Sequence, residues 1–166
     1  MRLVVIGNSG SGKTIFARRA GATLNLPTYD LDVLYRHLDG RKRKESEAKA
    51  LVAEVAAGSG WVIEGVFGSL IEVALPRATV LAWLDLSWDE CRAGLLQRGP
   101  HYGMDPSDSD ALKAWAGAHT DRLPGHAQLY NGFGGHKVCL RTRREVAAFS
   151  VDSLYPVAEG GPPNSN

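Results

Sequence analysis

The octapeptide Gly7-Asn8-Ser9-Gly10-Ser11-Gly12-Lys13-Thr14 constrains this chain more than any other segment. It satisfies G-x-x-x-x-G-K-[ST] at every fixed position, a match that average residue frequencies produce in on the order of one percent of chains this long. The setting sharpens it. Leu3-Val4-Val5-Ile6 before it is a continuous apolar run, the look of a strand buried on both faces, and a helical stretch over about 13–24 follows. Glycines let the backbone curl until successive N–H groups aim at phosphate oxygens, and the helix N-terminus adds partial positive charge. The pattern therefore predicts that residues Gly7, Asn8, Ser9, Gly10, Ser11, Gly12, Lys13 and Thr14 cradle a nucleoside triphosphate. Lys13 reaches its β- and γ-phosphates, and the Thr14 hydroxyl holds Mg²⁺. The alternative is an ordinary Gly/Ser turn that carries a lysine by coincidence, and both the chance rate and the setting weigh against it.

The rest of the chain alternates strands with helices. After residues 3–6, strands are expected at 29–31, 61–64, 79–84 and 137–140. The clearest helix is 45–57, where Ala48, Leu51, Val52, Val55 and Ala56 recur at helical spacing and Gly58 stops it. Ser87 with Glu90 forms a capping box opening a helix to about Arg98, and Thr142 with Glu145 opens a last one to about Leu154. Asp108 or Ser109 caps another, with Leu112, Trp115, Ala116, His119 and Leu123 on one face and Arg122 at its end. Such alternation implies right-handed crossovers and a parallel sheet covered on both faces, a three-layer α/β/α domain. It occupies residues 1–158, and residues 159–166, with two Gly, two Pro and little to bury, read as a disordered tail.

Composition removes several function classes. In 166 residues, 19 Lys+Arg offset 18 Asp+Glu, so no overall field is available to hold a nucleic-acid backbone. No segment approaches the ~18 apolar residues of a membrane helix. The N-terminal apolar run is too short for a signal-peptide core, and a cytoplasmic location is expected. Cys91 and Cys139 are too few and too far apart for a disulfide scaffold, and read as buried thiols of a reducing compartment. The five histidines show no metal-ligand spacing on any one element.

There is no N-K-x-D guanine motif of the Ras type, and the chain is too short for an ABC-type ATPase. It resembles instead the small nucleoside-monophosphate-kinase-like group, which includes adenylate, shikimate and gluconate kinases. The likeness is greatest to the bacterial topology modulation protein branch. It rests on the phosphate loop, then Pro27-Thr28-Tyr29-Asp30-Leu31-Asp32, Trp61-Val62-Ile63-Glu64-Gly65, Leu84-Asp85, Cys91 and Arg98, and loosely on His126, Tyr130 and residues 137–140. The resemblance implies a P-loop fold whose five parallel strands run in the order 2-3-1-4-5. It also implies an acceptor site over strands 2 and 3 and a helical lid within about 99–122. The loop lacks the adenylate kinases' proline, and Val66-Phe67-Gly68 offers no arginine to a nucleotide phosphate, which argues against AMP as acceptor.

Asp30 and Asp32 fall at the carboxyl end of strand 2, where ligands bind in open α/β sheets. By the resemblance Asp32 is the general base or stands behind the metal, with Asp30 supporting it; otherwise Asp32 caps a helix over 33–37. Glu64 ends its strand beside the loop and is the favoured carboxylate for the metal and acceptor, with Asp85 and Asp32 as competitors. Arg98 and Arg122 bracket a Gly/Pro-bounded segment and are placed at lid hinges, screening the transferring phosphoryl group. The competing reading has them answer helix dipoles. Arg41-Lys42-Arg43-Lys44 either meets an anionic partner or is a solvated loop. Arg141, Arg143 and Arg144 either stack on the adenine or are helix-surface charge. Together these features predict a kinase moving the γ-phosphoryl of Mg-bound ATP to a small acceptor. The alternative is a nucleotide-binding regulatory module contacting nucleic acid through residues 41–44. Oligomeric state is not readable.

Overall fold

In the computed structural model, residues 1–101 and 103–155 are described. The boundary at 158 and the tail expected at 159–166 lie outside the described residues. The elements are β1 (Arg2–Gly7), α1 (Lys13–Leu24), β2 (Thr28–Asp30), α2 (Leu31–Leu34), α3 (Glu45–Ala56), β3 (Trp61–Gly65) and α4 (Gly68–Ala74). There follow β4 (Val80–Leu84), α5 (Trp88–Arg98), α6 (Ser109–Gly132), β5 (His136–Leu140) and α7 (Arg143–Ala148), with 3₁₀ turns at Leu75–Arg77 and Val151–Leu154. All strand pairs are parallel and run in the expected order β2-β3-β1-β4-β5.

Side chains of a strand alternate between faces, so β1 feeds two cores. Leu3 and Val5 join Phe16, Ala17 and Ala20 of α1 on one face, with Leu154 from the C-terminal turn. Val4 and Ile6 meet Val52 of α3, Ile71 of α4 and Phe133 beyond α6 on the other. The helices of both layers thus lock the three central strands, whose residues are buried almost throughout. The parallel register aligns the strands' carboxyl ends: Asp30 lies beside Glu64, Ile6 beside Gly65, and Gly7 beside Leu84.

Four expectations need correction. The sixth helix does not end at Arg122 but continues through Pro124 to Gly132. Proline removes one ladder hydrogen bond, but Leu123, Ala127, Leu129 and Tyr130 pack against the second core and carry the helix past it. Arg122 is therefore mid-helix, not a terminal hinge. Asp30, not Asp32, caps the short second helix, its carboxylate accepting from Asp32 N at 2.7 Å. The last helix stops at Ala148, where Arg19 donates to the carbonyls of Val146, Ala147 and Phe149, and resumes only as a 3₁₀ turn. Cys139 is half-buried while Cys91 is buried, and both thiols are free. Helix α4 had not been anticipated. The other caps hold: Ser87 accepts from Glu90 N, Thr142 from Glu145 N, and Asp108 rather than Ser109 caps α6.

Gly10 and Gly12 both adopt left-handed φ, 81° and 92°, but only Gly10 faces a wall: an added Cβ would strike the Cys91 carbonyl. Both alanine variants carry the cost of left-handed backbone, about 1–2 kcal/mol. Gly10→Ala must in addition displace α5, and its loss of unfolding free energy should exceed that of Gly12→Ala by about 1 kcal/mol or more in chemical denaturation.

Candidate functional site

The loop from Gly7 to Thr14 is braced from two sides. Arg143 donates to Gly10 O at 2.7 Å and to Glu90 O at 2.7 Å, while its own N–H reaches Glu90 Oε1 at 2.8 Å. Asn8 Nδ2 donates to His119 O at 3.3 Å, and the His119 ring meets Leu86 O at 3.0 Å. These contacts tie the loop to α5, α6 and α7 at once. Arg143 is thus neither helix-surface charge nor free to stack on a base. Inside the loop, Asn8 Oδ1 and Ser11 Oγ are buried with no hydrogen-bond partner among the described residues, and the Ser11 hydroxyl is an unused donor of the kind a bound phosphate satisfies.

Lys13 is almost fully buried and donates to Asn8 O at 3.1 Å. Burial pushes its pKa down; the carboxylates of Glu64, Asp32 and Asp30 pull it back up. Beside it, the Thr14 hydroxyl donates to Glu64 Oε1 at 2.6 Å. Glu64 is itself buried, and burial lifts its pKa against the opposing pull of Lys13. Asp30 is shifted upward for the same reason, its carboxylate spent on capping. Asp32 is the second residue of α2 and is felt by Lys13, by Arg122 and by His101 of the connecting loop. Its carboxylate is the common neighbour of the site's cations. Thr14 and Glu64 offer only oxygen donors, which suits Mg²⁺. Among the described residues no three His, Cys, Asp or Glu side chains form a metal cluster of their own.

The competing carboxylate, Asp85, pairs with Arg141 at 3.8 Å, whereas Glu64, Asp32 and Asp30 are the carboxylates that act most on Lys13. Arg98 ends α5 on the exposed side and acts on His101, which also feels Asp32 and Asp30. Arg122 is half-buried, and desolvation lowers its pKa against the pull of Asp32 and Asp121. The basic run lies apart from the loop, with Arg41 on Asp39 at 2.7 Å and Arg43 against His37 at 3.2 Å. Half its charge is engaged locally. Among the described residues no helix is long and apolar enough to cross a membrane.

The sequence names Arg143, Glu90 and His126 but not their tasks here: Glu90 reads as a capping-box partner, Arg143 as adenine-stacking or surface charge, and His126 only as part of the resemblance. His126 follows His119 by two turns on the buried face of α6, a spacing that the search for metal ligands passed over. Its ring is 2% exposed. Burial, with Lys13 and Arg122 nearby, lowers its pKa from 6.5 to about 4. The unfolded chain therefore takes up this proton first as pH falls. Stability is lost between pH 6.5 and about 4, by on the order of 3 kcal/mol in full. Asp30 and Glu64, with raised values, oppose this trend, so the difference between wild type and His126→Gln isolates it. That difference in urea-derived unfolding free energy should shrink steadily from pH 7 to 4.5, and a flat profile would contradict a neutral buried imidazole.

No family model matches the chain. The shikimate kinase of Symbiobacterium thermophilum is 30% identical to it, over 97% of this chain and 100% of that protein. Two solved structures share its fold. The shikimate kinase of Bacteroides thetaiotaomicron has a TM-score of 0.59 at 19% identity, covering 93% of this chain and 95% of that one. The Acinetobacter baumannii shikimate kinase, solved with shikimate, has a TM-score of 0.61 at 14% identity, covering 92% and 89%. With a braced phosphate loop at the carboxyl edge of a 2-3-1-4-5 sheet and a relative matched along its whole length, the chain belongs to the shikimate kinase family and is a P-loop kinase.

Proposed function

We propose that this kinase transfers the γ-phosphoryl group of ATP to a hydroxyl of a small polyhydroxylated carboxylic acid, with shikimate the first acceptor to test. The observation that carries this reading is the convergence of Lys13, Thr14–Glu64, Asp32 and Arg122 at one sheet edge. The loop amides and Lys13 hold the β- and γ-phosphates. Thr14, backed by Glu64, holds Mg²⁺, which when bound neutralises charge on the phosphate oxygens. Asp32 aligns the acceptor hydroxyl and takes its proton as the oxygen attacks phosphorus and the bond to the β–γ bridging oxygen breaks. Positioning contributes more than proton removal in such transfers. Arg122 supplies positive charge where an acceptor carboxylate enters, and Arg98 screens the transferring group from the loop side. Asp30 holds the helix that carries Asp32.

The phosphate loop with Pro27-Thr28-Tyr29-Asp30-Leu31-Asp32 and Trp61-Val62-Ile63-Glu64-Gly65 carries the likeness to the topology modulation branch, and the missing arginine after Gly65 argues against AMP. The acceptor panel therefore extends beyond shikimate to gluconate and nucleosides, with the protein acting in the reducing cytoplasm.

ADP release measured with ATP, Mg²⁺ and this panel tests the reading. A hydroxy acid should stimulate release well above the acceptor-free rate. Lys13→Ala should lower kcat by roughly 10²–10³-fold with an unchanged fold, because it removes a buried charge rather than packing. Asp32→Asn should lower kcat by about 10²-fold or more while ATP still binds. Full turnover in Lys13→Ala, or stimulation by nucleosides alone, would overturn the proposal.

A further inference from the structure

The phosphate loop and its carboxylates account for the reacting end of the site but not for the space beside it. Between α4 and the second half of α6 runs a cleft of about 420 Å³, of the size that holds a small metabolite. Its inner end is formed by Val66 and Gly68, just past Glu64 on β3, and by Arg122 and His126 on α6. Leu129 and the exposed Glu72 mark its outer rim.

His126 is the anomaly in this wall. Its ring is 2% exposed, yet among the described residues neither Nδ1 nor Nε2 has a hydrogen-bond partner. The Val66 backbone approaches the ring without completing a bond. Buried polar groups in folded proteins are nearly always paired, so two orphaned nitrogens on the wall of a cleft require an explanation. Its neighbours narrow the choice: Arg122 stands one turn earlier on the same helix, and Lys13 is close enough to act on the imidazole. His126 and Arg122 thus share one wall of the cleft, within electrostatic reach of Lys13.

We infer that His126 is an acceptor-binding residue, donating to or accepting from a hydroxyl of the bound acceptor in the cleft between α4 and α6. This rests on the kinase reading above. The choice of a hydroxyl follows from charge. Burial together with the cations Lys13 and Arg122 keeps the imidazole neutral at physiological pH. A neutral imidazole offers one donor and one acceptor, and a hydroxyl offers the same pair. A ligand cation would be repelled by Lys13 and Arg122, and a carboxylate gains more from Arg122 than from His126. The acceptor's carboxylate and its second hydroxyl are thus read by adjacent turns of α6.

Shikimate and analogues each lacking one hydroxyl are the probes, with kinetics and histidine ring NMR as separate readouts. In the wild type, shikimate should shift the His126 ring resonances. His126→Phe should raise KM for shikimate about tenfold or more, with KM for ATP held within twofold. His126→Gln, which keeps hydrogen-bonding capacity, should recover most of that loss, and thermal melting of both variants reports whether they fold. One deoxy analogue should bind wild type and His126→Phe equally, because the group it lacks is the partner that the variant lost. A merely structural histidine would weaken all analogues alike. Normal phosphorylation of shikimate with unmoved His126 resonances and unchanged KM would overturn this assignment and leave the kinase reading intact. Shifted resonances without phosphorylation would support the subsite and overturn shikimate as phosphoryl acceptor. Absence of any shikimate binding would overturn both.

Discussion

The tight backbone bend after β1 is the constraint on which the rest of this molecule depends. It needs left-handed backbone at Gly10 and Gly12 and a gap beside Gly10 narrow enough that the Cys91 carbonyl fills it. A loop of glycine and serine has little side-chain packing to hold such a shape, and its conformational freedom would favour opening. The structure supplies the hold from outside. Arg143 clamps the Gly10 carbonyl while gripping α5 through Glu90, and Gly94 leaves room for the guanidinium where any side chain would collide with it. The phosphate loop is therefore preorganised by elements far downstream, Arg143 lying 133 residues after Gly10, and the amides are aimed before a ligand arrives.

That dependence explains what could and could not be read from the chain alone. The octapeptide and the apolar run before it are local features, and they suffice to place the loop, β1 and α1. Sheet order came from resemblance and not from periodicity, because nothing in residues 28–30 or 136–140 encodes which neighbour a strand takes. Helix ends were misjudged where tertiary packing overrode local rules. Pro124 looks like a stop, yet Leu129 and Tyr130 beyond it are buried enough to continue α6. Asp32 looks like a cap, yet strand β2 ends one residue sooner than expected and Asp30 takes that place. Among site residues, those adjoining a motif were legible, whereas Arg143 and His126 owe their positions to contacts across the fold. Arg143 sits next to a capping box and reads as surface charge, and only the three-dimensional approach of α7 to α5 gives it another task.

Helix α6 shows how one misjudged boundary changes the picture of the site. Ended at Arg122, it is a lid with a terminal arginine. Extended to Gly132, it is a beam crossing the carboxyl edge of the sheet. His119 grips the loop near the helix's middle, Tyr130 packs on Trp83 toward its C-terminal end, and Arg122 and His126 lie between. The half of α6 between these two anchors is held to the loop and to the sheet.

Charge balance then decides how substrates enter. One buried lysine, Lys13, faces Glu64, Asp32 and Asp30, and desolvation disfavours the charged form of Lys13, Glu64 and Asp30. A bare triphosphate brought to this edge meets carboxylates as well as the lysine, and repulsion cancels much of the loop's attraction. A divalent cation carried in by the nucleotide reverses that sign, since it satisfies carboxylate oxygens and phosphate oxygens together. The acceptor faces the opposite problem. An acidic acceptor, as proposed, would arrive without a counterion and would find positive charge in the protein at Arg122. Under the proposed function the two substrates are sorted by which partner brings the cation: the nucleotide would carry its own, and the acceptor would use the one fixed on α6.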